Sequence, residues 1–124
     1  MRVLRTLGLV TAAFGGLSIA APQLVARPLR LTDAQGGLQP GVAVACSAIG
    51  VRDVVSGLSL ALLPPGRARA AAVGTRVAFD VTDALVVSRR LDPAARRGLQ
   101  VAGLAWGGAC LLAGLGSAVA ARRH

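Results

Sequence analysis

Aromatic side chains are scarce in this 124-residue sequence, which contains no tyrosine, one tryptophan and two phenylalanines. The core of a water-soluble domain of this length normally relies on aromatic residues for much of its buried area. Yet 54% of the residues are apolar, mostly alanine, valine and leucine, and 16 are glycine. This composition is typical of helices that pack closely within a bilayer. The length allows a single domain, which we expect to cover residues 1–124.

Lysine and glutamate are absent, so all 14 basic residues are arginine and all five acidic residues are aspartate. We attribute this to a coding bias toward GC-rich codons. The net charge of +9 raises the question of nucleic-acid binding, because clustered arginines neutralise phosphates. Most arginines, however, lie between the apolar stretches, as the charges that flank membrane spans do. No nucleic-acid partner is therefore expected.

Cysteine and histidine are also rare. Cys46 and Cys110 lie in separate apolar stretches, and His124 is the last residue. These three residues make an incomplete metal site, so we expect no metal, no cofactor and no enzymatic activity. If the spans alternate in direction, the two cysteines differ in depth by roughly 10 Å. A disulfide needs Cα atoms within about 7 Å, so we expect no pairing.

Four apolar stretches are separated by proline, glycine and arginine. Each is close to the ~20 residues that a helix needs to cross the hydrocarbon. We predict an all-α integral membrane four-helix bundle, multi-pass in the cell membrane, with helices at about 4–21, 41–63, 68–88 and 98–121.

The first stretch has two interpretations. Its basic start and the segment ending at Ala20 are compatible with a cleaved signal peptide. Against this, the apolar run is long, and Gly8, Ala12 and Gly16 form a small-residue face at four-residue spacing. We favour a retained helix.

The last stretch has a stripe of small residues at alternating spacings of four and three: Gly103, Gly107, Cys110, Gly114, Ser117 and Ala121. Such a stripe lets helix backbones approach closely. We expect it to pack against another helix of the same chain, with homo-oligomerisation as the alternative.

Five charged residues lie inside the second and third stretches: Arg52, Asp53, Arg76, Asp80 and Asp83. Each costs about 2.5–3.5 kcal/mol at the centre of a membrane span. The third stretch therefore loses roughly 9 kcal/mol to three charges and recovers roughly 3 kcal/mol from its large apolar residues. Either it does not span, or a neighbouring helix neutralises its charges.

The spacing favours neutralisation. Arg76, Asp80 and Asp83 share one helical face, because they are four and three residues apart. Counted from the turn that joins the two stretches, the helical rise brings Asp53 near Arg76 and Arg52 near Asp80.

This pairing leaves Asp83 without a partner, so we predict it as a candidate proton or cation site. Ser56 and Thr82 can line the same polar track. The alternative is that the charges only hold two helices in register.

Two motifs carry a resemblance to a known family. Gly50-Val51-Arg52-Asp53 with Gly57-Leu58, followed by Asp80-Val81-Thr82-Asp83-Ala84-Leu85-Val86-Val87, resembles the family designated domain of unknown function 4267. Its members are small four-helix membrane proteins from bacteria and fungi. The resemblance covers nearly the whole chain and implies four membrane helices, but it implies no activity.

The charges outside the spans do not decide the orientation. Six arginines flank the spans on each side, so the positive-inside rule gives no preference. We place both termini in the cytoplasm, because a short basic amino terminus usually stays inside.

Three functions follow from these observations. We favour a structural or interaction component of a membrane assembly, whose partners are the bilayer and a second copy or another membrane protein. The alternative is a small proton-coupled transporter that uses Asp83 and Asp80. A membrane oxidoreductase subunit that uses Cys46 and Cys110 ranks third.

Overall fold

The computed structural model describes residues 2–123 and is mostly helical, with a non-helical connection over residues 27–41. Its α-helices are α1 (Arg2–Ala20), α2 (Pro22–Ala26), α3 (Val42–Leu62), α4 (Arg67–Leu85) and α5 (Pro93–Arg122), and a 3₁₀ turn spans Val87–Arg90. Within residues 2–123 the only β-type pairing is an isolated bridge between Thr32 and Leu38. The prediction of an all-α protein is confirmed.

Three of the long helices, α1, α3 and α5, are long and apolar enough to cross a membrane. The prediction of four apolar spans therefore holds for three of them. The remaining long helix is α4, the one that carries Arg76, Asp80 and Asp83. At 19 residues it is about 28 Å long, close to the hydrocarbon thickness, so its charges and not its length set it apart.

The four long helices form a closed ring in the order α1, α3, α4, α5, with α5 returning to α1. The closest packing is between α1 and α3 and between α4 and α5. An apolar cluster takes one buried residue from each long helix, Leu4, Leu60, Val73 and Cys110. The fold is thus two helix pairs joined along two looser seams.

Apolar side chains cover the outside of this ring. Leu9 is 49% exposed, Val55 60% and Leu112 72%, whereas Arg76 and Asp80 inside are each 3% exposed. A water-soluble protein would show the reverse distribution, because apolar area is stabilised by removal from water. Together with the three apolar helices, this distribution indicates a membrane location.

Glycines bring α1 and α3 into backbone contact. A Cβ atom on Gly8 would lie 2.5 Å from the Gly57 carbonyl oxygen, and one on Gly15 would lie 2.5 Å from the Gly50 carbonyl oxygen. The predicted face of Gly8, Ala12 and Gly16 is therefore only partly right, since a Cβ on Gly16 would meet nothing within 4 Å. Two nearly antiparallel helices contact each other at every seventh residue. Counted from Gly8, the next contact therefore falls on Gly15.

The start of α5 lies five residues before the predicted boundary at residue 98, because Asp92 and Pro93 form a helix start. The Asp92 carboxylate accepts a hydrogen bond of 2.9 Å from the Ala95 amide. Proline at the first helical position has no amide hydrogen that needs a partner. Arg96 then donates to the carbonyls of Ser88 and Leu91 and closes the turn after α4.

Gly15 and Gly16 provide a matched test of the α1–α3 contact, because they are adjacent on one helix. We expect Gly15→Ala to destabilise the fold by about 1–3 kcal/mol, since its methyl group would overlap the α3 backbone. Gly16→Ala should be neutral or slightly stabilising, because its methyl group enters open space. Unfolding in mixed detergent micelles, followed by Trp106 fluorescence, measures both. Equal stability of the two variants would contradict the contact.

Candidate functional site

The charged residues lie in the middle of α3 and α4. Asp53 is eleven residues after Val42, where α3 begins, and nine before Leu62, where it ends. On α4 the buried residues recur every three to four positions and form one inward face: Arg69, Val73, Arg76, Asp80 and Ala84. This spacing follows the helical repeat. The inner face of α4 is thus charged at its centre and at Arg69 near its start, with Val73 and Ala84 as its apolar residues.

Arg76 and Asp80 are equally buried, at 3% exposed, and Arg76 has the more extensive contacts. It donates from Nη1 to Asp53 Oδ1 at 2.7 Å and from Nε to Asp80 Oδ2 at 3.0 Å. Its Nη2 forms a further ion pair with Asp80 Oδ1. The Ser56 hydroxyl accepts a hydrogen bond of 3.3 Å from Nη1. Arg76 therefore joins a carboxylate on α3 to one on its own helix.

Arg52 makes the second connection between α3 and α4. It forms a two-pronged bond with Asp83, with Nη1 to Oδ1 at 2.9 Å and Nη2 to Oδ2 at 2.7 Å. It also donates from Nη2 to Asp53 Oδ1 at 3.1 Å. Its guanidinium carbon lies 4.7 Å from the centre of the Phe79 ring, a cation–π arrangement.

The five side chains form one alternating chain of charges, in the order Asp83, Arg52, Asp53, Arg76, Asp80. We refer to it as the charge chain. Asp53 is its centre, because its Oδ1 accepts from both arginines. Three aspartates and two arginines leave one net negative charge. Because the charges alternate, groups of the same sign are separated by a group of the opposite sign. The attraction between neighbours offsets the free-energy cost of taking these groups out of water.

Glycines on the flanking helices enclose the charge chain. A Cβ atom on Gly15 of α1 would lie 3.0 Å from the Asp53 Cβ, and one on Gly107 of α5 would lie 3.0 Å from the Asp80 Cβ. Only a residue without a side chain lets these helices come so near. The backbones of α1 and α5 therefore shield the two aspartates from the surroundings.

The structure brings the five predicted charged residues together but changes their pairing. The predicted Asp53–Arg76 pair is present. The predicted Arg52–Asp80 pair is wrong, because Asp80 pairs with Arg76 on its own helix. The prediction that Asp83 has no partner is also wrong, since Arg52 binds both of its carboxylate oxygens.

The physical reason for this error lies in the side chains. Helical rise gives the depth of each residue's backbone, whereas an arginine side chain reaches well beyond that depth along the helix axis. Depth alone also ignores the pair four residues apart on α4, which needs no second helix. Once Arg76 takes Asp80, Arg52 is left to bind Asp83.

Two further residues differ from expectation. Ser56 contacts the charge chain as predicted, but Thr82 is exposed and donates to the Ala78 carbonyl of its own helix. The spacing of the charges did not predict the contact between Arg52 and Phe79. The sequence does carry a signal for this contact, because Phe79 lies between Arg76 and Asp83, about one helical turn from each.

The small-residue stripe of α5 packs within the chain. Gly103, Gly107 and Cys110 are buried, and a Cβ on Gly114 would lie 2.9 Å from Val73 of α4. The stripe ends before Ala121, which is exposed. These contacts are the intramolecular packing that we predicted.

The cysteines lie in two different apolar clusters. Cys46 packs with Ala26 and Val42, and Cys110 packs with Leu60 and Val73. Both are buried thiols. Residues 2–123 hold no cluster of three or more cysteine, histidine or acidic residues arranged to bind a metal.

A cavity of about 360 Å³ lies beside the charge chain, between α3 and α4. Arg52 and Phe79 border it on one side, and Ser56, Ser59 and Thr75 add hydroxyl groups to its wall. The seam between α3 and α4 is thus partly open next to Arg52.

The chain matches no protein-family model, no curated protein and no solved structure. Membership of domain of unknown function 4267 stays a prediction that rests on the two motifs. Six residues of these motifs have structural roles. Gly50 and Gly57 contact α1, and the other four belong to the charge chain: Arg52, Asp53, Asp80 and Asp83.

The two arginines should differ in their importance for stability. We expect Arg76→Met to cost about 3–5 kcal/mol, because it leaves Asp53 and Asp80 buried without that partner. Arg52→Met should cost less, since the Arg52 side chain is 20% exposed and that of Arg76 only 4%. Unfolding of both variants in detergent micelles gives the comparison, with the exposed Arg27→Met as control. A larger loss for Arg52→Met would contradict this ranking.

Proposed function

We propose that this protein is a four-helix membrane protein with a structural role, a rigid interaction component of a membrane assembly. The observation that carries the proposal is the closed pairing of the charge chain. Within residues 2–123, every fully buried side-chain nitrogen or oxygen has a hydrogen-bond partner. Charges that are all satisfied within the chain fix a shape and leave no buried polar group in the described residues to bind a substrate.

In this proposal α4 is the fourth membrane span. Its outward face is free of charge at mid-depth, with Gly74, Ala78 and Val81 exposed there. Its three mid-helix charges all belong to the charge chain. Hydropathy alone underestimates the tendency of such a helix to span the membrane, because the ion pairs remove most of the free-energy cost of burying its charges.

The topology follows from four spans. The two termini and the turn between α3 and α4 then share one side of the membrane, and we place that side in the cytoplasm. The retained α1 is part of the proposal, because the α3 glycines Gly50 and Gly57 pack directly on it.

The assembly in this proposal uses outward faces of the bundle. The α5 stripe is occupied by α4, so Gly107→Leu would disturb the fold and would not report on assembly. Mass measurement in lipid nanodiscs tests self-association of the intact chain, and crosslinking in native membranes tests for a different partner. A strictly monomeric protein that crosslinks to no other protein would contradict the interaction role.

If the charge chain has a structural role, two apolar residues of similar volume should be able to replace the Arg52–Asp83 pair at its outer end. Arg52→Met alone leaves Asp83 without its partner and should destabilise the bundle. Adding Asp83→Leu should recover most of the loss, because a buried ion pair can often be replaced by apolar residues of similar volume. Thermal unfolding and the assembly state of the single and double variants provide the measurement. A double variant that folds but fails to assemble would contradict a purely structural role.

A proton-coupled carrier is the second candidate, and one observation favours it. The charge chain has one more aspartate than arginine, and a cavity of about 360 Å³ opens beside Arg52. A net negative charge in a membrane interior favours uptake of a proton or a small cation.

Proton flux into proteoliposomes distinguishes the carrier from the structural component. A carrier should lose flux in Asp83→Asn, which keeps the shape of the side chain and removes the charge. Asp33→Asn is the matched control, since Asp33 lies in the loop before α3, where it accepts bonds from the Gln35 and Gly37 amides. Equal flux in wild type, Asp83→Asn and empty vesicles would eliminate this candidate.

A further inference from the structure

A second concave site lies between α4 and α5, away from the charge chain. It is a groove of about 480 Å³ at the end of the bundle where α4 begins and α5 ends. Most of its wall is apolar, with Val73 of α4 and Leu115 of α5 among the residues that line it. Its volume falls within the range of about 300–1,000 Å³ that is usual for sites of small molecules.

Arginines border the groove. Arg67, from the first turn of α4, and Arg122, from the last turn of α5, are exposed and both line it. Arg69 also lines it and donates to the Leu63 carbonyl, which fixes the start of α4. The groove therefore combines an apolar channel with positive charge contributed by two helices.

The whole of this end of the bundle is basic. The start of α1 lies beside the end of α3, as the packing of Leu4 on Leu60 shows, and α3 ends at the turn into α4. Six arginines lie here: Arg2, Arg5, Arg67, Arg69, Arg122 and Arg123. Among the described residues all five aspartates lie elsewhere, three in the charge chain and Asp33 and Asp92 at the opposite end. An anion meets no opposing carboxylate here.

We propose that this groove binds one anionic phospholipid, with an acyl chain along the α4–α5 channel and the phosphate at Arg67 and Arg122. Charge complementarity selects an anionic headgroup, because guanidinium groups bind phosphate with charge-assisted hydrogen bonds. The apolar wall requires an acyl chain, so a soluble phosphate does not satisfy the site. In this groove two helices contact the acyl chain, whereas a single flat helix face would contact a lipid on one side only. The proposal rests on a membrane location and is independent of the charge chain.

Native mass spectrometry of the full-length protein in detergent, titrated with phosphatidylglycerol or phosphatidylcholine, tests this site. We expect one phosphatidylglycerol to be retained and phosphatidylcholine to bind at least about tenfold more weakly, because the arginines at this end of the bundle repel the positive choline beside its phosphate. Arg67→Gln with Arg122→Gln should remove this preference. Arg27→Gln with Arg89→Gln is the matched control, because it removes the same charge at the opposite end of the bundle.

A groove-filling variant tests the acyl-chain site. Gly74 lines the groove, and a Cβ there would meet nothing within 4 Å, so Gly74→Leu should fold and displace the lipid. Gly116→Leu is its control, since Gly116 is exposed and also has open space. Trp106 fluorescence establishes that each variant is folded.

Three outcomes would overturn the proposal. The first is equal binding of the two lipids, and the second is unchanged lipid retention in folded Gly74→Leu. The third is full displacement of phosphatidylglycerol by glycerol phosphate, which would identify a site for a soluble anion. Loss of lipid in Gly74→Leu together with retention in Gly116→Leu supports it.

Discussion

A buried charged side chain must find an opposite charge, and in the proposed four-span bundle this requirement governs the arrangement of α3 and α4. Arg52 and Asp53 project from α3, and the charges of α4 complete them in strict alternation. The rotation of α4 about its axis follows, because any other rotation would turn Arg76 toward lipid. The faces that α4 offers to α5 and to the outside are then decided as well. The seam between α3 and α4 is held mainly by these pairs, and the cavity beside Arg52 shows how little side-chain packing contributes there.

Glycine is the second requirement, because the charge chain needs neighbours without side chains. Gly15 and Gly107 belong to helices on opposite sides of the charge chain. Each leaves the space that an aspartate of the charge chain occupies. The abundance of glycine in this sequence, 16 residues, is therefore linked to its buried charges. Each flanking helix supplies backbone where a bulkier residue would separate the ion pairs. The hydrogen bond of 2.9 Å from Trp106 to Thr11 joins α5 to α1 and closes the ring on the other side.

The sequence supported the prediction of the helices and of the charged set, because both follow from local spacing. Apolar length identified the helices α1, α3, α4 and α5, and the spacing of Arg76, Asp80 and Asp83 placed them on one face. The exact partners were not predictable in the same way, since they depend on side-chain reach and on Arg76 binding Asp80 of its own helix as well as Asp53. The packing face of α1 was shifted by one residue, because the four-residue repeat of its small residues differs from the seven-residue repeat of an antiparallel helix contact. The start of α5 depended on the Asp92 cap, which hydropathy does not detect.

The short connection between α3 and α4 has a consequence for how the protein is made. Four residues, Leu63 to Gly66, separate the two helices, and two of them are proline. During synthesis α3 emerges first, so the acidic and basic groups of its centre are already in place when α4 follows. In the proposed four-span topology, an isolated α4 would carry its charges into the lipid without compensation. The two helices are therefore expected to enter the bilayer together as a hairpin, with the prolines making the reversal. The order of α3 and α4 along the sequence therefore means that the charges of α3 are already present when the charges of α4 need partners.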